Sequence, residues 1–187
     1  KNPMVSYRRI PGHEVAATIE MTGRDVPGDF QPGLKATVIP YTNCGLCASC
    51  KNGRFNACKY NETLGVQRDG AMSNFLVIPW QKVLVDNDLT FEELALVEPL
   101  TVGFHAVDRG RVSKNELVMV LGCGMIGIGA IVGALDRGSI VIAVDVDDHK
   151  LELAKSLGAQ HTINSKSENL TDALKKFGFH NGPDIII

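Results

Sequence analysis

The sequence predicts two structural classes in order along the chain: a β-rich first part and an α/β second part built on a parallel sheet. Up to about Val85, short β-branched segments are broken by Gly and Pro, and several alternate apolar with polar residues, as half-buried strands do. From Glu116 onward, strand patterns alternate with helical patterns. This order is typical of βαβ units, whose strands run parallel with helices on the faces of the sheet.

Three segments of the first part are predicted strands, and the turns between them are rich in Pro and Gly. The strands are expected within 14–20, 35–40 and 74–79, and the turns at 25–29 and 31–33. Alternating apolar and polar side chains in the strands predict one buried and one solvated face.

A helical region joins the two parts. Thr90 and Glu93 form a capping-box pattern, in which each side chain accepts a hydrogen bond from the other residue's backbone N–H. A second helix is predicted from about Pro99, because Pro suits the first turn of a helix, and Gly110 suits its end.

The second part begins with a continuous apolar run at 117–121, as expected for a parallel strand buried on both faces. A helix is predicted at 125–137 and the next strand at 140–144. A further helix ends at Gly158. The last helix presents one apolar face made of Leu170, Leu174 and Phe177.

Composition argues against several classes of protein. The 187 residues are 44% hydrophobic and 21% charged, with a net charge of −2. These values are ordinary for a globular protein and argue against nucleic-acid or anionic-membrane partners. No apolar run approaches the roughly 20 residues of a membrane span.

Both ends of the sequence are expected to be cut, because it begins without Met and ends in an apolar run, 184–187, that resembles an interrupted strand.

Four of the five cysteines form one cluster with metal-ligand spacing, C-x2-C-x2-C-x7-C. The ligands are Cys44, Cys47, Cys50 and Cys58. Two-residue gaps allow successive thiolates to turn toward one ion, and a tetrahedral zinc site needs four such ligands. With four sulfur ligands and no open position, the predicted zinc is structural. Reduced thiols of this kind favour a cytoplasmic protein. The alternatives are unpaired cysteines clustered by chance and an iron–sulfur cluster.

A glycine-rich turn, G-x-G-x-x-G, follows the strand at 117–121 and opens a helix, which is the context that makes the motif informative. Gly122 is expected to form the tight turn, Gly124 to let the backbone approach a pyrophosphate, and Gly127 to let the helix pack closely on the strand. The helix then presents free N–H groups at its start, where Met125 and Ile126 lie, to the phosphates.

Asp145 ends the next strand, 18 residues after Gly127. A carboxylate there is placed to bind the adenosine ribose hydroxyls and to repel a 2′-phosphate, which favours NAD over NADP. Asp145 as a helix cap or a solvated acid is the alternative.

Together, the cysteine lobe, the preceding Gly12-His13-Glu14 and the glycine turn resemble the zinc-containing medium-chain dehydrogenase/reductase superfamily. The resemblance covers nearly the whole chain. It implies a GroES-like β-rich catalytic domain with a structural zinc lobe, followed by a truncated Rossmann doubly wound parallel sheet. The domain limits implied are 1–88, with the zinc lobe at about 41–60, connecting helices at 89–112, and 113–187.

The same resemblance implies a second, catalytic zinc. His13 matches the family's histidine ligand, Glu14 the adjacent glutamate, and Glu98 the Glu-Pro-Leu segment of sorbitol and threonine dehydrogenases. The family's upstream cysteine ligand falls before the start of this sequence. Lys150 matches a lysine that reaches the adenosine ribose. Each residue also has an ordinary structural interpretation: a satisfied core histidine, a helix-capping glutamate or a solvated lysine.

The activity implied is hydride transfer between NAD and the CH–OH group of a polyol, sugar acid or amino-alcohol, by a homodimer or homotetramer. Two other functions remain possible from the sequence. The first is a zinc-free reductase of the same superfamily, such as a quinone reductase. Proteins of that kind lack the cysteine lobe, so the four clustered cysteines argue against it. A non-catalytic relative that binds NAD(H) retains the fold and loses the second zinc.

Overall fold

The computed structural model describes residues 7–187. The chain divides into two compact units, Lys1–Glu98 and Pro99–Ile187. The elements in chain order are β1 (Ala17–Thr18), β2 (Lys35–Val38), α1 (Ala48–Lys51), β3 (Val83–Val85), α2 (Phe91–Gly110), β4 (Leu117–Leu121), α3 (Met125–Asp136), β5 (Ile140–Asp145), α4 (Asp148–Ser156), β6 (His161–Asn164), α5 (Leu170–Lys176) and β7 (Ile185–Ile186). Two short 3-10 turns, Phe55–Ala57 and Trp80–Lys82, complete the set.

The first unit contains a three-stranded antiparallel sheet in the order β1-β2-β3. Ala36 pairs with Ala17 on one side and with Val85 on the other, so β2 is the central strand. A small buried cluster of Val15, Val38 and Leu64 lies in this unit.

The predicted strands of the first unit are only partly correct. The segment 14–20 contributes two strand residues, 35–40 contributes four, and 74–79 forms no strand. Leu76 and Ile78 still pack against the small core, while Phe75 and Val77 are exposed. The alternation in 74–79 is therefore real, but a strand also needs a hydrogen-bonded neighbour, and no residue within 7–187 forms a ladder with this segment.

The connecting region is one helix, and the prediction of a second helix starting near Pro99 is wrong. Helix α2 runs for 20 residues with Pro99 inside it. Proline removes one backbone hydrogen bond from a helix interior but does not forbid helical backbone on both sides. The capping box is confirmed: the N–H of Thr90 lies 2.7 Å from Oε2 of Glu93, and the N–H of Glu93 lies 3.2 Å from Oγ1 of Thr90.

The second unit is a four-stranded parallel sheet in the order β6-β5-β4-β7. The sheet begins with β4, and the chain adds β5 and then β6 on one side of it. The chain then crosses back and places β7 on the other side of β4. The carboxyl ends of β4 and β5 lie side by side, with Leu121 paired to Val144. This is the edge at which nucleotides bind in open α/β sheets.

Apolar cores cover both faces of this sheet. Val118 and Val120 of β4 join a cluster that includes residues of α2, α3 and α4. The alternate residues Leu117 and Met119 join a second cluster with residues of α5. Because successive side chains of a strand point to opposite faces, helices must cover both sides. The predicted doubly wound parallel arrangement is confirmed.

Among residues 7–187, none of the helices combines the length and the apolar character that a membrane span requires.

Candidate functional site

The four predicted zinc ligands converge on one point. Helix α1 carries Cys50 and follows Cys47, and a 3-10 turn precedes Cys58. The Sγ atoms of Cys44 and Cys50 lie 4.0 Å apart, as do those of Cys47 and Cys58. Tetrahedral zinc with sulfur at about 2.3 Å requires sulfur–sulfur separations of about 3.8 Å. A disulfide requires about 2.05 Å, and all five cysteines are free thiols.

Backbone N–H groups surround the sulfur atoms. Cys44 Sγ accepts the N–H groups of Leu46 and Cys47 at 3.4 and 3.3 Å. Cys58 Sγ accepts those of Cys44 and Tyr60, both at 3.3 Å. Donors aimed at sulfur favour the thiolate form, which is the form that binds metal. Gly45 and Gly53, both with φ of +71°, supply the left-handed turns of the loop.

The acid–base chemistry of the cluster also fits a cation. Backbone donors, first that of Cys50, lower the pKa of Cys47 to about 6, whereas burial raises the pKa of Cys50 to about 12. The raised pKa of Cys50 favours its protonated form, and a divalent ion bound by the four sulfur atoms would displace that proton. The donor set fits the zinc predicted for it.

The second predicted metal site is also assembled. Candidate ligand atoms of His13, Glu14 and Glu98 all lie within 4.8 Å of one another. Glu98 is 8% exposed, His13 is half-buried and Glu14 is exposed. An imidazole and two carboxylates are ligands that zinc accepts. A cation bound between two carboxylates this close would offset the repulsion between them.

Backbone hydrogen bonds hold the segment that carries His13. Gly70 N–H donates to the carbonyl of Ile10 at 2.8 Å, and Ala71 N–H donates to that of Gly12 at 3.0 Å. Gly12 has φ of +100°, which favours glycine. A Cβ on Gly70 would lie 2.4 Å from the carbonyl oxygen of Gly12. The stretch near Gly70 therefore fixes the backbone that presents His13 and Glu14.

Sequence reasoning missed Tyr41, whose hydroxyl donates a hydrogen bond to Oε1 of Glu98. Burial, followed by the hydrogen bond and the charge of Glu98, raises the pKa of Tyr41 above its usual range. The phenol therefore remains a proton donor. A tyrosine that follows Pro40 at the end of a strand carries no sequence signal of such a contact.

The glycine turn in the second unit has the features expected of a nucleotide-binding turn. Gly122 has φ of +93°. A Cβ on Gly127 would lie 1.8 Å from the carbonyl oxygen of Gly122, so only glycine fits where α3 crosses the turn. A Cβ on Gly124 would meet no atom within 4 Å. Gly124 therefore faces open space at the start of α3, while the exposed side chains of Met125 and Ile126 follow it.

Asp145 is neither a helix cap nor a solvated acid. It is 8% exposed, and Asp147 caps α4 by accepting the N–H of His149. Asp145 Oδ2 instead accepts the N–H of Cys123 at 2.7 Å. This bond and those from Val146 and Asp147 lower the pKa of Asp145, and the charge of Lys150 adds to the effect. Lys150 itself is exposed on α4.

Comparison with known families accounts for both units. A family model described as "Alcohol dehydrogenase GroES-like domain" matches residues 1–87, and one described as "Zinc-binding dehydrogenase" matches residues 126–187. Together with the cysteine cluster, these matches support the predicted zinc.

Curated relatives point the same way. The chain is 33% identical over 187 residues to the sorbitol dehydrogenase of Bacillus subtilis, covering 98% of this chain and 53% of that protein. Further relatives are named L-galactonate-5-dehydrogenase and L-threonine 3-dehydrogenase. The chain spans about half the length of the curated relatives that it matches.

Solved structures extend the likeness to nicotinamide-bound proteins. A protein described as a short chain alcohol dehydrogenase from E. coli CFT073, in complex with NADH, has a TM-score of 0.87 and 29% identity, covering 95% of this chain and 53% of that one. A zinc-binding dehydrogenase of Sinorhizobium meliloti bound to NADP has a TM-score of 0.84 and 28% identity, covering 90% and 49%. These neighbours support a nicotinamide cofactor. With its cysteine lobe, its glycine turn and its two family matches, the chain belongs to the zinc-containing medium-chain dehydrogenase/reductase superfamily.

Proposed function

We propose that the intact protein is a zinc-dependent oxidoreductase that transfers hydride between NAD and the CH–OH group of a polyol, sugar acid or amino-alcohol. The observation that carries this proposal is the convergence of His13, Glu14 and Glu98, whose ligand atoms lie within 4.8 Å of one another. Residues brought together from opposite ends of the first unit, and of the types that bind zinc, support a metal site separate from the four-cysteine lobe.

Each group of this second site has a distinct role in the proposal. His13 would supply an imidazole nitrogen to the metal, and Glu98 and Glu14 would supply carboxylate oxygens. A bound zinc would provide Lewis-acid activation of an alcohol hydroxyl, and the nicotinamide would accept the hydride. The buried position of Glu98 keeps its charge from water, which strengthens its interaction with a cation.

Cofactor binding is proposed for the turn between β4 and α3. Gly122, Gly124 and Gly127, together with the N–H groups of Met125 and Ile126, would hold the pyrophosphate at the helix start. Asp145 supports NAD, because a buried carboxylate at the end of β5 repels a 2′-phosphate. Lys150 is proposed to reach the ribose.

The substrate class rests on the family membership and on Glu98 followed by Pro99. Curated relatives named for sorbitol, L-galactonate and L-threonine support polyols, sugar acids and amino-alcohols over simple alcohols. We also propose that the intact protein is a homodimer or homotetramer and that it is cytoplasmic. The proposed domain limits are residue 88, where the catalytic domain ends, and residue 112, where the connecting region ends.

The test is NAD reduction by the intact protein with a panel of polyols, aldonic acids and amino-alcohols. His13→Ala and Glu98→Ala should abolish activity while the far-UV circular dichroism stays unchanged. His180→Ala and Glu92→Ala are matched controls, because both side chains are exposed and neither lies in a metal cluster. Full activity in His13→Ala and Glu98→Ala would remove the proposed zinc chemistry.

A further inference from the structure

The hydrogen bond between Tyr41 and Glu98 joins residues 57 positions apart in the chain. It occupies Oε1 of a carboxylate that is 8% exposed. An ionised carboxylate has two oxygens and about four lone-pair positions, so a hydrogen bond from Tyr41 to Oε1 is compatible with a metal on the same carboxylate. Ligand atoms of His13 and Glu14 lie within 4.8 Å of those of Glu98. The phenol therefore contacts the buried member of this cluster.

The backbone of Tyr41 is held on both sides. The carbonyl of Pro40 accepts the N–H of Leu64 at 3.1 Å, and the N–H of Thr42 donates to the carbonyl of Glu62 at 3.2 Å. Tyr41 itself forms an antiparallel bridge with Thr63. The ring has only two side-chain torsions and lies half-buried. The position of its hydroxyl is therefore well defined, because few torsions can move it. A donor on a long side chain would lose more conformational entropy when held in one place.

The chemistry of the donor also suits a metal site. A lysine or arginine in this place would neutralise Glu98 and repel a cation. A phenol donates a hydrogen bond without carrying positive charge, so it restricts the carboxylate while leaving its negative charge for the metal. Partners that orient metal ligands in this way raise metal affinity and fix ligand geometry.

We infer that Tyr41 is a positioning residue that holds the Glu98 carboxylate in its metal-binding orientation. This inference rests on the proposed function, since it requires a second zinc at His13, Glu14 and Glu98. Tyr41 acts through Glu98 and needs no contact with substrate or cofactor.

The test is a zinc titration of the intact protein against a competing chelator, which resolves the tight four-cysteine site from the second site. Tyr41→Phe should weaken the second site by about 10- to 100-fold and leave the four-cysteine site unchanged. Tyr60→Phe is the matched control, because this tyrosine also lies in the first unit and is 62% exposed. It should change neither site.

A second comparison shows whether Tyr41 acts through Glu98. In the Glu98→Ala background, adding Tyr41→Phe should cause no further loss of zinc affinity, because the carboxylate that the phenol orients is gone. Equal losses in the two backgrounds would overturn the inference. So would a lower melting temperature of the zinc-free Tyr41→Phe protein with unchanged affinity at the second site, which would show a purely structural role.

The two proposals fail in different ways. An intact wild-type protein that binds only the four-cysteine zinc would overturn the proposed function and this inference with it. A wild-type protein with two zinc sites, whose second site is unaffected by Tyr41→Phe, would overturn this inference alone.

Discussion

The carboxylate of Asp145 accepts the backbone N–H of Cys123 at 2.7 Å, which ties the end of β5 to the glycine turn after β4. The N–H of Gly122 reinforces this connection by donating to the carbonyl of Val144 at 2.7 Å. Oδ1 of Asp145 also accepts the N–H groups of Val146 and Asp147. One side chain therefore shapes both the turn and the approach to α4, in addition to its proposed contact with ribose.

Asp145→Asn should destabilise the second unit. The amide of asparagine would place N–H groups where Asp145 now accepts backbone N–H groups, and a buried donor left without an acceptor costs about 1–3 kcal/mol. Chemical unfolding at neutral pH measures the loss. Asp136→Asn, at the exposed end of α3, is the control and should have little effect.

The same variant gives a defined pH dependence. The folded-state pKa of Asp145 is lowered below its ordinary value of 3.8, so its stabilising effect is fully present above that value and is lost as pH falls through the lower, folded-state pKa. The stability difference between wild type and Asp145→Asn should therefore be constant from pH 7 to about 5 and shrink below the ordinary Asp value. A difference that grows on acidification would contradict this account of Asp145.

Two glycines of the same turn should respond in opposite ways. Gly127→Ala places Cβ 1.8 Å from the carbonyl oxygen of Gly122, so α3 must move and the melting temperature should fall sharply. Gly124→Ala meets no atom within 4 Å and should keep the melting temperature. It should nevertheless weaken NADH binding, measured by fluorescence titration, because Cβ occupies space that the pyrophosphate would approach. Unchanged NADH affinity in Gly124→Ala would argue against phosphate binding at this turn.

Gly70→Ala tests how the His13 segment is held. Its Cβ would lie 2.4 Å from the carbonyl oxygen of Gly12 and 2.5 Å from that of Pro11. Backbone atoms cannot yield as a flexible side chain can, so we expect a loss of about 1–3 kcal/mol and weaker zinc binding at the second site. Gly28→Ala is the matched control, since no atom lies within 4 Å of its Cβ. Identical zinc affinity in both variants would mean that residues 70–72 do not position His13.

Cys44→Ser should remove the structural zinc. Serine is a poor zinc ligand, and three thiolates no longer close the tetrahedron. We expect one zinc fewer per chain and faster proteolysis within the lobe, residues 41–60. Cys123→Ser applies the same change to a buried cysteine outside the cluster and should retain all zinc. Loss of zinc from both variants would point to general unfolding.

Several features were predictable from the sequence because they are local. The Thr90–Glu93 capping box, the turn at Gly122 and the close packing at Gly127 depend on residue type and short spacing, and the structure contains all three. The cysteine cluster belongs to the same group, since two-residue gaps largely determine where the sulfur atoms can meet.

Features that depend on a distant partner were harder to predict. The pattern of 74–79 is correct for a strand, but strand formation depends on a hydrogen-bonded neighbour that alternation does not encode. Pro99 was expected to begin a helix, yet α2 continues through it. Proline costs a helix interior about 3 kcal/mol, and a 20-residue helix that buries side chains such as Leu94 and Val107 can offset that cost. Tyr41 and Glu98 are 57 positions apart in the chain, and no local sequence pattern around either residue predicts their contact.

The number of zinc ions per intact chain, measured by elemental analysis in wild type, Cys44→Ser and His13→Ala, tests the central claim most directly. The account predicts two ions in wild type and one in each variant, with the remaining ion held by the other site. A single ion in wild type that Cys44→Ser removes and His13→Ala retains would contradict it, and would leave a nicotinamide-binding relative without the catalytic metal.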